Sequence, residues 1–123
     1  MKILEREVKE NVILGKSMDF AVRIVNLYKY LCSEKNEYVM SKQLLRCGTS
    51  IGANVHEANH GQSKKDFLAK IFIAFKETSE TDYWLNLLVR TGYLTQEQGC
   101  SIITDCTEIE RILTAIIKTT KGK

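Results

Sequence analysis

Residues 41–61 read SKQLLRCGTSIGANVHEANHG, and their apolar positions recur every three or four residues, as they do along one face of an α-helix. That face consists of Leu44, Gly48, Ile51, Val55 and Ala58. Ser41 is a suitable cap for the start of the helix, and Gly61 is a suitable residue to end it. Gly48 and Gly52 each cost about 1 kcal/mol of helix propensity relative to alanine, so we expect a neighbouring helix to approach closely there.

Three further segments show the same periodicity, at about residues 17–33, 63–91 and 95–119, and short polar breaks join them. Ser63 and Thr95 each open a segment in the manner of a helix cap. The chain contains no proline, which favours long uninterrupted helices. We therefore predict an all-α, antiparallel up-down-up-down four-helix bundle. A single domain covers residues 1–123, with a loose segment at 1–12 and a loose tail at 120–123.

The composition excludes several classes of protein. Of the 123 residues, 44% are hydrophobic and 27% charged, an ordinary balance for a globular domain. No stretch approaches the 18 or so apolar residues of a membrane span, and residues 1–10 lack the apolar core of a signal peptide. The four cysteines form no CxxC pair, which indicates reduced thiols. The sequence thus predicts a cytoplasmic protein without a membrane partner.

The helices carry more apolar surface than one bundle needs. Residues 71–75 read IFIAF, and paired isoleucines occur at 102–103 and 116–117. A helix that is hydrophobic on every side must be covered on every side, so we predict self-association. The alternative is a monomer on whose surface the extra apolar residues are scattered.

The sequence HEANH at residues 56–60 has the H-E-x-x-H spacing of zinc metalloproteases. His56 and His60 share a helix face and could hold one metal ion while Glu57 activates a water molecule. A catalytic zinc needs a third protein ligand, however, and the chain has no other histidine. We predict no catalytic residue, metal site, cofactor or small-molecule substrate. A zinc-dependent hydrolase using His56, Glu57 and His60 is the alternative.

Four stretches together resemble a known bacterial family: SIGANVHEA at 50–58, SKKDF at 63–67, IAFKETSETDYWL at 73–85 and TGYL at 91–94. They are similar to the four-helix bundle proteins encoded in intervening sequences of 23S ribosomal RNA genes, also called S23 ribosomal proteins. Ser50, Asn54 and Glu57 match the family motif, and Glu80 belongs to the third stretch. Ala58 stands where the family usually has glycine, and His56 occupies a position that the family does not require.

The resemblance implies a non-catalytic scaffold or adaptor that forms a homo-oligomer, with a pentamer as the favoured form. One branch of the family assists diversity-generating retroelements, which implies RNA or a reverse transcriptase as a partner. For Ser50, Asn54, Glu57 and Glu80 the resemblance implies roles in structure or in an interface. From the burial of polar residues on close-packed helices, we expect Asn54 to satisfy the backbone of a neighbouring helix.

The predicted topology gathers lysines at one end of the bundle. The candidate nucleic-acid contacts there are Lys16, Lys64, Lys65, Lys118 and Lys121. Contacts of this kind would involve the phosphate backbone, without much sequence preference. A lysine-rich end that is simply solvated is the alternative, since the net charge of one chain is only +3.

Overall fold

The structure is a computed structural model that describes residues 2–61 and 63–122, with side chains described from residue 10 onward. It contains four helices, α1 (Lys2–Lys35), α2 (Met40–Ala58), α3 (Lys64–Arg90) and α4 (Gln96–Lys121). No strand occurs in the described ranges. The predicted all-α class is therefore confirmed.

The helices occupy the four corners of a square. Each helix packs against its neighbours in sequence, and α1 closes the bundle against α4. Within the residues described, no Cα atom of α1 lies within 8 Å of one in α3, and none of α2 lies within 8 Å of one in α4. This arrangement is the predicted antiparallel bundle, and it places α1 and α3 at diagonally opposite corners.

Two helices are longer than predicted. Helix α1 begins at Lys2 rather than near Ser17, and α4 continues to Lys121. Most of the segments 1–12 and 120–123, predicted to be loose, therefore lie in helices. Residues 2–14 contain neither glycine nor proline and are rich in lysine, arginine and glutamate, which propagate a helix well. Ile13, only 1% exposed, anchors this early part of α1 in the core.

The cap of α2 is not the residue that we predicted. Ser41 lies inside the first turn, and the carboxylate of Glu37 in the preceding loop caps the helix instead. That carboxylate accepts backbone N–H bonds from Val39 (3.1 Å), Met40 (3.1 Å) and Ser41 (2.7 Å). The Ser41 hydroxyl donates to the Glu37 carbonyl oxygen at 2.8 Å. One side chain therefore satisfies three of the amide groups that a helix start leaves unpaired.

Replacing Glu37 with glutamine should lower the free energy of unfolding by about 1 kcal/mol at neutral pH, the usual value of a helix cap. Burial raises the pKa of Glu37, but the three amide donors lower it more. The pKa of this carboxyl group therefore lies below its ordinary value of 4.5. The stabilisation is therefore complete above the unfolded pKa and disappears as the pH falls through the folded pKa. Urea unfolding of wild type and Glu37→Gln should differ at neutral pH and converge in acid.

Glu34→Gln, in the last turn of α1 and exposed, is the matched control and should change the stability little at either pH. A loss for Glu37→Gln that stays the same in acid would contradict the role of the charged carboxylate.

The glycines of α2 lie where the sequence predicts a close helix approach. A Cβ atom at Gly48 would lie 2.8 Å from the side chain of Ile24, and one at Gly52 would lie 3.2 Å from the carbonyl oxygen of Ser17. Both neighbours belong to α1. The missing side chains thus allow α1 and α2 to pack closely.

The cysteines in the core are unsuited to nucleophilic chemistry. All four cysteines are free, and Cys47 and Cys106 are buried. Burial raises the pKa of the Cys106 thiol to about 12, and burial is also the main cause of the raised pKa of Cys47. Both side chains are therefore protonated at physiological pH and pack as small apolar groups.

Candidate functional site

Asn54 and Ser50 of the family motif bond to each other along one side of α2. Asn54 is 9% exposed, and its Nδ2 donates to the Ser50 carbonyl oxygen (2.9 Å) and to Ser50 Oγ (3.0 Å). Both acceptors belong to the same helix, one turn earlier. The expectation that Asn54 satisfies a neighbouring helix is therefore wrong, because a short amide can reach the i−4 position of its own helix.

The two motif glutamates join α2 to α3. Glu57 Oε1 lies 3.1 Å from Lys70 Nζ. Glu80 accepts a hydrogen bond from Trp84 Nε1 at 3.0 Å and pairs with Arg46 of α2. Arg46 also lies 3.5 Å from Glu77. Each of these ion pairs has at least one partner whose side chain is 40% exposed or more, so each contributes about 1 kcal/mol or less and mainly sets the position of the two helices.

The rings of His56 and His60 lie close together, whereas Glu57 lies on a different side of α2. The ring centroids of His56 and His60 are 5.1 Å apart, and both side chains are exposed. Glu57 lies on the side of α2 that faces α3, where it is paired with Lys70. Among the side chains described, no three histidine, cysteine or acidic residues lie close enough to hold one metal ion. The arrangement thus brings together the two histidines of the protease motif, and the side chains that the structure describes add neither the base nor a third ligand to them.

Four of the five predicted lysines share one end of the bundle. Lys64 and Lys65 lie in the first turn of α3, and Lys118 and Lys121 lie in the last turn of the antiparallel neighbour α4. All four are exposed. Among the described side chains none of them forms an ion pair, although Lys121 Nζ lies 4.9 Å above the ring of Phe72. We call these four residues the lysine end.

Lys16 does not belong to the lysine end. The sequence placed it there because α1 was predicted to begin near Ser17, whereas the helix begins at Lys2. Lys16 therefore lies several turns inside α1. Its Nζ lies 2.9 Å from Glu108 Oε1 of α4. The positive charge of Lys16 is therefore already paired with a carboxylate of the same chain.

Exposed apolar side chains occur on α1 and on α3, and we call these positions the α1 face and the α3 face. On α1, Met18 is 64% exposed and Val22 is 52% exposed, one helical turn apart. Met18 lines a groove of about 350 Å³ between α1 and α2, whose other residues are mainly small or apolar. On α3, Ile73 is 43% exposed and Tyr83 is 58% exposed. Because α1 and α3 stand at diagonal corners, the α1 face and the α3 face lie on different helices that are not neighbours in the bundle.

The chain is similar to known proteins in both sequence and fold. The family model described as 23S rRNA-intervening sequence protein matches residues 9–115. The chain belongs to this family. None of the curated proteins matches it. A crystal structure of a protein of unknown function from the S23 ribosomal protein family of Bacteroides thetaiotaomicron VPI-5482 is 60% identical in sequence. The match covers 89% of this chain and 98% of that chain, with a TM-score of 0.89.

Two features of the chain were not predicted from its sequence. The cap by Glu37 has no sequence signature, because its carboxylate reaches α2 from the loop. The α1 face could have been predicted, because Met18 begins a second apolar stripe of α1 beside the stripe that forms the core. No helix in the described part of the chain combines the length and the hydropathy needed to cross a membrane.

Proposed function

We propose that this chain is a non-catalytic subunit of a homo-oligomeric adaptor, pentameric as the family resemblance implies, which binds RNA through the lysine end. The observation that carries the proposal is the gathering of Lys64, Lys65, Lys118 and Lys121 without a carboxylate partner among the described side chains. Phosphate groups are the natural counter-charge for exposed lysines.

The position of two of these lysines works against the stability of the free protein. Lys64 and Lys65 lie at the start of α3, where the helix dipole disfavours a positive charge by roughly 0.3–1 kcal/mol for each residue. A phosphate beside the same helix start would remove this penalty, because the backbone amides there also attract anions. The arrangement therefore favours an anionic partner over bare solvent.

The two apolar faces support the assembly. A face that pairs with itself gives a closed dimer, whereas two different faces on opposite sides of a subunit give a ring or a filament. The α1 face and the α3 face are different and lie on different sides of the subunit, which suits a ring better than a closed dimer. In a ring every subunit points its lysine end to the same side, so the positive potentials add together.

The experiment measures binding of a fluorescent single-stranded RNA by anisotropy over a range of salt concentrations. Four phosphate contacts predict a slope of log K against log salt of about −3 for each subunit that is engaged. The double variant Lys64→Glu/Lys65→Glu should weaken binding at least about tenfold and make the slope shallower by about 1.4, the share of two contacts.

The matched control is Lys29→Glu/Lys42→Glu, which makes the same change of charge at exposed positions on α1 and α2. This control should bind nearly as well as wild type. Equal losses in both double variants, or no loss in either, would contradict a specific role for the lysine end.

A further inference from the structure

The proposed function does not use the two histidines of α2. Both rings are exposed, and neither forms a hydrogen bond or an ion pair with the described side chains. The ring centroids are 5.1 Å apart, with an angle of 76° between the ring planes. Their ring nitrogens are therefore available to a ligand from solvent.

The local backbone holds the second histidine in register with the first. Helix α2 ends at Ala58, but the chain continues through a turn in which Asn59 N–H donates to the Val55 oxygen (3.2 Å) and His60 N–H donates to the Glu57 oxygen (3.0 Å). His60 therefore stays one turn above His56, on the same face. This i, i+4 spacing allows two imidazoles to bind one metal ion.

We infer that His56 and His60 form a two-imidazole site for a divalent transition-metal ion, with water filling the remaining coordination positions. Metal–nitrogen distances of about 2.0–2.1 Å require each ring to turn its nitrogen toward a point between the rings. Exposed side chains make such rotations easily. The expected preference is for Cu²⁺ over Ni²⁺ and Zn²⁺, the general order for nitrogen ligands.

This site is not the protease site that the spacing suggests. Glu57 lies on another side of α2 and is held by Lys70, so it neither binds the metal nor activates its water. The metal instead joins the last turn of α2 to the turn that leads into α3. The site is complete within one subunit because both histidines come from one chain, although His56 also lines the groove beside the α1 face.

The test is calorimetric titration of the untagged protein with Ni²⁺, which does not oxidise thiols. The background is Cys100→Ser, because Cys100 is an exposed thiol that could bind metal on its own. We expect one Ni²⁺ ion per chain. Removing one imidazole abolishes the chelate, so His56→Ala and His60→Ala should each weaken binding about 100-fold or more.

Glu57→Gln is the control that separates the two-imidazole site from the protease motif, and it should bind Ni²⁺ as tightly as the background protein. Ni²⁺ should also raise the melting temperature of the background protein and of Glu57→Gln, but of neither histidine variant. Since all three residues are exposed, circular dichroism should show unchanged helix in every variant. The absence of saturable Ni²⁺ binding, or binding that survives His60→Ala, would overturn the inference.

Discussion

We expect Met18→Glu to reduce the mass of the protein in solution to that of one subunit, while the helix content stays unchanged. Met18 is 64% exposed in the single subunit, so a glutamate there meets water and costs little stability. In the proposed assembly the same position lies in an apolar contact, where an unpaired carboxylate pays a large desolvation penalty. Light scattering and circular dichroism together distinguish dissociation from unfolding.

A second variant tests whether two different faces meet. Tyr83→Glu, at a position 58% exposed on α3, should also give single subunits. When the two variants are mixed, one intact α1 face and one intact α3 face remain, so a complex of two subunits should form. A contact between like faces would instead leave one variant assembled on its own, and the mixture would gain no new species.

Lys42→Glu, at an exposed polar position of α2, is the control for a change of surface charge and should keep the wild-type mass. A Met18→Glu protein with the wild-type mass would show that the α1 face takes no part in the assembly.

Gly48→Leu should lower the free energy of unfolding by about 3 kcal/mol, at the upper end for an overpacked core. Even a single Cβ atom would come within 2.9 Å of three side-chain carbons of Ile24, which is itself completely buried. Isoleucine is stiff at χ1, and the packed core leaves it no free space, so α1 and α2 must separate. Gly48→Ala should cost less than Gly48→Leu, because it adds one carbon and gains helix propensity.

Gly15→Ala is the matched control for this series. No atom lies within 4 Å of a Cβ at Gly15, which is exposed on α1. The same gain of helix propensity should therefore appear there without a clash, as a stabilisation of about 1 kcal/mol. Urea unfolding at one fixed protein concentration measures all three variants. A stabilising Gly48→Ala would contradict the close approach of α1 and α2.

The four-helix bundle could be predicted from the sequence because each helix is specified by residues that are close together in the chain. The apolar spacing in residues 41–61 depends only on the period of the helix, and the caps Ser63 and Thr95 act within one turn. The function of Gly48 was also predictable, since a glycine inside a helix costs stability unless packing requires it.

The features that escaped prediction depend on contacts distant in sequence or on the exact end of a helix. Lys16 was predicted at the bundle end because the first helix was predicted to begin near Ser17, yet the residues before Ser17 are good helix formers. Its partner Glu108 is far away along the chain. The bond from Asn54 to its own helix was missed for a different reason, since a buried amide has several possible acceptors.

Light scattering of the wild-type protein, with and without single-stranded RNA at low and moderate salt, tests the central claim most directly. The account predicts a stable multi-subunit mass that increases when RNA is added at low salt and returns to its original value as salt rises. A single-subunit mass that RNA leaves unchanged at every salt concentration would contradict both the assembly and the role of the lysine end.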